Sequence, residues 1–175
     1  MMTRITILLA ALLALSGVQA DFKAGLEAYQ SGDFQTALAE WMPLAEQGEV
    51  ESEFNVGLLY YHGRGVEEDH ALAAGWYRRA ADQGYPRAQY ELGEMYEQGD
   101  GVPRDMIQAY KWFRLANREK YEDARKRRKR VADELSEHDL AQAELQVREW
   151  VRLRKAGNPS GSASNSDSNR DGKAD

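Results

Sequence analysis

Reactive side chains are scarce and scattered in this sequence. There is no cysteine among its 175 residues, which removes thiolate nucleophiles, disulfide frameworks and thiolate metal sites together. Its histidines are His62, His70 and His138, and no two stand four apart, the spacing that aims two imidazoles at one zinc ion from a helix. They are expected as solvated side chains at or near helix ends. Away from the chain ends the serines are Ser31, Ser52 and Ser136, none within a Gly-x-Ser-x-Gly elbow. Gly63-Arg64-Gly65 and Gly99-Asp100-Gly101 follow helical patterns and no Gly-Lys-Ser/Thr occurs, so these loops do not cradle phosphate. Carboxylates are plentiful, among them Glu67, Glu68, Asp69, Glu91, Glu94 and Glu97. A pair of them could hydrolyse a glycan-like polymer only if burial raised the pKa of one. The expectation is therefore no catalytic residue, no metal and no cofactor, with polymer hydrolysis by such carboxylates as the alternative.

One charged cluster stands apart. Arg125, Lys126, Arg127, Arg128, Lys129 and Arg130 are consecutive, in a chain whose 23 Lys+Arg and 29 Asp+Glu leave a net charge of −6. That overall charge disfavours nucleic acid as a partner. Six consecutive residues circle a helix, so some of the aliphatic stems must lie along apolar neighbours. The flanking acids Glu122-Asp123 and Asp133-Glu134 are placed to neutralise several of the charges. A solvated, self-paired cap helix is the expectation, with contact to anionic lipid or an acidic partner as its rival.

The chain ends read differently from its middle. Arg4, an apolar run from Ile5 to Leu15, and small residues at Val18 and Ala20 make residues 1–20 a secretory signal peptide, cut before Asp21. The expected location is the bacterial periplasm, with secretion also open. From Gly157 onward Asn, Pro, Ser, Gly and scattered charge offer too little apolar area to offset chain entropy, so residues 157–175 are expected to be a disordered tail.

Between the ends the sequence repeats itself. Residues 52–87 laid on 88–123 give 11 identities in 36 positions without a gap, among them Gly57/Gly93, Gly63/Gly99, Gly65/Gly101, Asp69/Asp105 and Trp76/Trp112. Val56, Leu59 and Tyr60 fall at helical spacing, as do Ala73, Trp76, Tyr77 and Ala80. Gly63 closes the first helix, Gly65 turns the loop, and Asp69 caps the second helix. Each unit is thus a helix, a glycine-closed loop and a second helix, with glycine inside the first helix where another helix must come close. Trp76, Trp112 and Trp150 are assigned to the core.

The string Ala88…Leu92-Gly93…Tyr96…Gly99…Gly101-Val102…Asp105…Ala109…Trp112…Ala116 resembles the Sel-one-like repeat, a relative of the tetratricopeptide repeat. Residues 52–80 carry the same pattern, with Ser52 and Val56 at the first alanine and the leucine. Gly25…Ala28-Tyr29…Gly32…Phe34…Ala37 is similar to a plain tetratricopeptide hairpin, with Pro43 placed to bend or break its second helix. The resemblance implies an all-α, right-handed α/α superhelix. It would comprise a hairpin at 21–51, repeats at 52–87 and 88–123, and a degenerate repeat with a capping helix at 124–156. It also implies a module that binds another protein or peptide as a monomer, on the concave face formed by first-helix positions. These positions are Leu26, Tyr29 and Gln30, then Leu58, Tyr61 and His62, then Glu94, Glu97 and Gln98, grading from apolar to acidic. Tyr29 and Tyr61 could equally be core residues.

Overall fold

In the computed structural model, residues 20–118 and 122–157 are described; the expected signal segment before Ala20 and the tail after Gly157 lie outside them. The described chain is helical throughout: α1 Phe22–Ser31, α2 Phe34–Glu46, α3 Val50–Tyr61, α4 His70–Asp82, α5 Pro86–Gln98, α6 Met106–Arg118, α7 Glu122–Glu134 and α8 Glu137–Gly157. It divides between Gln83 and Gly84 into two compact units, the first with α1–α4 and the second with α5–α8.

In the first unit α1 packs on α2, α2 on α3, and α3 on α4. Ala28, Ala37, Trp41, Ala45, Val56 and Leu59 form its buried centre, wrapped by Phe22, Tyr29, Phe34, Leu38, Met42, Tyr60 and Trp76. Helix α2 runs unbroken through Pro43, so of the expected bend or break no break occurs. The proline stands one turn from the helix end, where the single backbone bond its ring forfeits matters least.

The glycine-closed loop forms as the residues dictate. Gly63 and Gly65 take positive φ of 59° and 73°, and the Asp69 carboxylate accepts from the Leu72 N–H at 2.8 Å. Gly65 meets the backbone of Phe34 and Gln35, where an added Cβ would stand 2.7 Å from the Phe34 carbonyl carbon. Gly57 sits under the Tyr77 ring, 2.8 Å from where its own Cβ would be. That contact explains why helix-weakening glycine occupies the middle of α3.

Beneath this hairpin lies a polar network. The Glu53 side chain is 2% exposed and accepts from Arg79 Nε at 2.8 Å, and also from Gln83 Nε2 at 2.8 Å. Arg79 donates as well to the Ala45 carbonyl, 2.6 Å away, and lies over the Trp76 ring at 4.5 Å. The Glu53–Arg79 pair therefore ties α2, α3 and α4 together. Thirty-six residues on, Gln89 and Leu115 stand at the positions of Glu53 and Arg79, and both are buried. The charge is lost from both partners together, as an unpaired buried charge would be costly.

The second unit repeats the geometry. Gly99 and Gly101 have φ of 75° and 65°, Asp105 accepts from the Ile107 and Gln108 N–H groups at 2.9 and 3.0 Å, and Gly93 lies under Phe113. Helix α6 packs on α5, α7 and α8, around Ala109, Tyr110, Phe113, Val131 and Ala143. Ser136 starts α8 by accepting from the Asp139 N–H at 3.1 Å. Helix α8 includes Gly157, one residue into the expected tail. Trp112 is fully buried. Trp76 and Trp150 are only half-buried, each with one face covered by an arginine, Arg79 and Arg154 respectively; the assignment of all three tryptophans to the core is corrected accordingly.

Candidate partner-binding surface

In the first unit, the six expected face residues meet different fates. Leu26 and Gln30 on α1 are exposed. Tyr29 is not: its ring packs edge-on against Phe34 at 5.2 Å and tilted against Trp41 at 5.6 Å. Its hydroxyl accepts from Arg64 Nη1 at 2.5 Å, and the same guanidinium lies over Phe34 at 5.4 Å. Tyr29 is therefore half-buried against the core, clamped by an arginine from the Gly63–Gly65 loop. Leu58 is half-buried on α3. Tyr61 is half-buried too, stacked on the His70 imidazole at 4.6 Å and 13° and met edge-on by His62 at 5.1 Å. Glu68 in turn holds His70 Nε2 at 3.2 Å. His62 is exposed at the C-cap of α3, and partial burial, helped by nearby Arg64, lowers its pKa below the usual histidine value. That shift favours the neutral imidazole, which joins Tyr61 and His70 in an aromatic surface.

In the second unit, the expected acidic end is already occupied. Arg127 pairs with Glu94, and with Glu97 at 2.8 Å; Arg130 pairs with Glu97 as well. Glu97 is nearly buried, and Gln98 beside it is exposed. This corrects two expectations at once. Glu94 and Glu97 do not offer unpaired charge to a basic ligand, and the cap helix is not simply self-paired, since Arg127 and Arg130 take acids from α5. Glutamates three apart on α5 face arginines three apart on α7, a constant separation of 33 that the sequence carries. Burial opposes the Arg127 charge, but Glu94, Tyr90 and Glu97 more than offset it. Of the rest of the run, Arg125, Lys126 and Lys129 are exposed and Arg128 is half-buried. Tyr90, Asp123, Lys126, Arg127 and Arg130 line a shallow depression. Burial and the neighbouring Glu94 raise the Glu91 pKa. Among the described residues no three His, Asp or Glu side chains converge as a metal ion would require, and no helix is long and apolar enough to cross a membrane.

Two consecutive 36-residue segments, 50–85 and 86–121, match the family model of the Sel1 repeat. Each begins at the first residue of a hairpin's first helix, Val50 of α3 or Pro86 of α5. The chain carries two Sel1 repeats. Solved structures agree: c5321, a protective antigen present in uropathogenic Escherichia coli strains and displaying an SLR fold, is 29% identical with a TM-score of 0.70 over 86% of this chain. A Sel1 repeat protein from Oxalobacter formigenes is also 29% identical, with a TM-score of 0.62 over 74% of this chain. This Sel1-like chain spans 33% of the first relative and 56% of the second. No curated protein matches it. Both matched segments supply the glycine-closed loop, but only the first has an arginine between its two glycines, Arg64, where Asp100 stands in the second. The clamp on Tyr29 is thus particular to the first repeat.

Proposed function

We propose that this protein is an exported envelope component that binds a partner protein through Leu26, Gln30, Leu58, Tyr61 and His62 of its first unit. Sel1 repeats commonly act as protein-interaction modules. The observation that carries the narrower reading is the unequal fate of the nine face positions. Tyr29, Glu94 and Glu97 are taken up by internal contacts, whereas Leu26, Gln30 and His62 are exposed and Leu58 and Tyr61 keep part of their surface. A partner reads an apolar and aromatic patch rather than a row of carboxylates. An aromatic anchor suits such a patch, because buried aromatic anchors carry much of the energy of interfaces. The signal sequence at residues 1–20 supports export. So does the similarity to a protective antigen, since antibodies meet proteins outside the cytoplasm.

The test is affinity capture from envelope extract with residues 21–175, alongside a Leu58→Ala/Tyr61→Ala variant and an Arg127→Gln variant. The expected result is a partner held by the parent and the Arg127 variant and lost by the double variant. Capture that is unchanged by the double variant would put the site elsewhere. Export is checked by the mass of the periplasmic protein, expected to begin at Asp21. Hydrolysis through carboxylates gains one supporting observation, the raised Glu91 pKa. Release of sugars or peptides from envelope polymers, abolished by Glu91→Gln, would establish it.

A further inference from the structure

Helix α8 has two faces. Leu140, Ala143, Val147 and Trp150 point to the rest of the second unit, with Ala143 and Val147 buried. On the opposite side Ala141, Leu145, Arg148, Arg152 and Ala156 recur at spacings of 4, 3, 4 and 4, and all are exposed. Leu145 is 58% exposed, and Leu145, Arg148, Glu149 and Arg152 line a shallow depression. Glu149 and Arg152 are only loosely paired within the helix, at 3.9 Å.

These residues are arranged so that the face complements itself. In a two-fold dimer each contact between residues i and j is repeated between j and i. For two antiparallel α8 helices crossing midway between Arg148 and Glu149, opposed residue numbers sum to 297. Arg148 then meets the partner's Glu149, and Glu149 the partner's Arg148. Leu145 lies along the aliphatic stem of the partner's Arg152, as long cationic side chains allow. Ala141 meets the partner's Ala156, and two alanines let the backbones approach at both ends. All four residues of the depression are thus closed under one rotation, with unlike charges opposed. We infer that this face docks a second copy of the same chain through antiparallel α8 helices. This departs from the monomer expected from sequence and is independent of the partner surface on the first unit. The contact spans 16 residues, roughly 24 Å of helix. That is a small interface, so the dimer is transient, with a dissociation constant in roughly the micromolar to millimolar range.

Sedimentation equilibrium of residues 21–175 over rising concentration tests the inference. The parent is expected to show reversible dimerisation. Arg148→Glu alone and Glu149→Arg alone place like charges opposite each other and should weaken it about tenfold or more. The double variant Arg148→Glu/Glu149→Arg restores unlike pairs and should dimerise as the parent does. The two single variants mixed should associate with each other better than either does with itself; a parallel pairing of like positions would already oppose like charges in the parent, so neither single variant would weaken it. All these side chains are exposed, so folding is unaffected, as far-UV circular dichroism will verify. A parent that stays monomeric to about millimolar concentration overturns the inference. So does a dimer indifferent to Arg148→Glu, and so does a double variant no better than the singles.

Discussion

Replacing Arg79 with leucine gives α4 the residue found 36 positions later, at Leu115, yet it should cost substantial stability. The reason is Glu53, whose side chain is 2% exposed and whose partner Nε lies 2.8 Å away. Removing one member of a buried ion pair costs about 3–5 kcal/mol, because the other charge stays buried. Arg79 is itself 43% exposed, so water screens part of the attraction, and Gln83 still donates to the carboxylate. The expected loss falls to about 2–3 kcal/mol. Adding Glu53→Gln copies the second repeat at both positions and removes the stranded charge. What remains is the lost bond from Arg79 to the Ala45 carbonyl, worth about 1 kcal/mol. Urea denaturation of residues 21–175, followed by tryptophan fluorescence and far-UV circular dichroism, should show Arg79→Leu as the least stable form. The double variant should lie within about 1 kcal/mol of the parent. A coupling energy below about 0.5 kcal/mol between the two substitutions would refute the reasoning, since non-interacting sites are additive to that level.

Glycine-to-alanine changes should divide by what lies over each helix. At Gly57 and Gly93 the new Cβ stands 2.8 Å from a buried ring, Tyr77 or Phe113, so overpacking of about 1–3 kcal/mol opposes the gain of roughly 1 kcal/mol in helix propensity. At Gly75 in α4 nothing lies within 4 Å of the new Cβ, and Gly75→Ala should raise stability by about 0.5–1 kcal/mol; thermal melts of the three variants check the sign. Burial and the 2.6 Å bond from its hydroxyl to Glu144 push the Tyr110 pKa up to about 12. The folded state then keeps a proton that the unfolded chain loses near pH 10, so this contribution is whole below pH 10 and is lost as pH rises to about 12. Tyr110→Phe should flatten stability over that window, measured as urea midpoints at stepped alkaline pH.

The repeated hairpin was legible because each signature residue has a local task. Asp69 and Asp105 cap helices, Gly63 and Gly99 adopt positive φ, and Gly57 and Gly93 admit a ring. Such requirements are met within one hairpin and appear at fixed spacing. The candidate surface was less legible because exposure depends on contacts between helices. Tyr29 reads as a face residue by position, and only its packing on Phe34 and Trp41 and the Arg64 clamp from the next loop show that it is turned toward the core. Glu94 and Glu97 read as free acids until α7 brings Arg127 and Arg130 against them. Two signals were present all the same: the matched spacing of glutamates and arginines, and the paired change from Glu53 and Arg79 to Gln89 and Leu115. Either links distant positions, but only a comparison of repeats position by position brings it out.

That paired change also bears on how a nearly repetitive chain folds correctly. Hairpins with 11 identities in 36 positions are at risk of exchanging helices, within one chain or between neighbouring chains. If α3 took α6 in place of α4, Glu53 would be buried against Leu115 with no cation to meet it. Were α5 to take α4, the Arg79 guanidinium would face the neutral amide of Gln89. The first mistake strands a buried charge and the second leaves a partly exposed one unpaired, whereas the correct pairings strand neither. The buried pair in the first repeat thus works as a lock and key between otherwise interchangeable helices, penalising the domain-swapped states that internal similarity would invite.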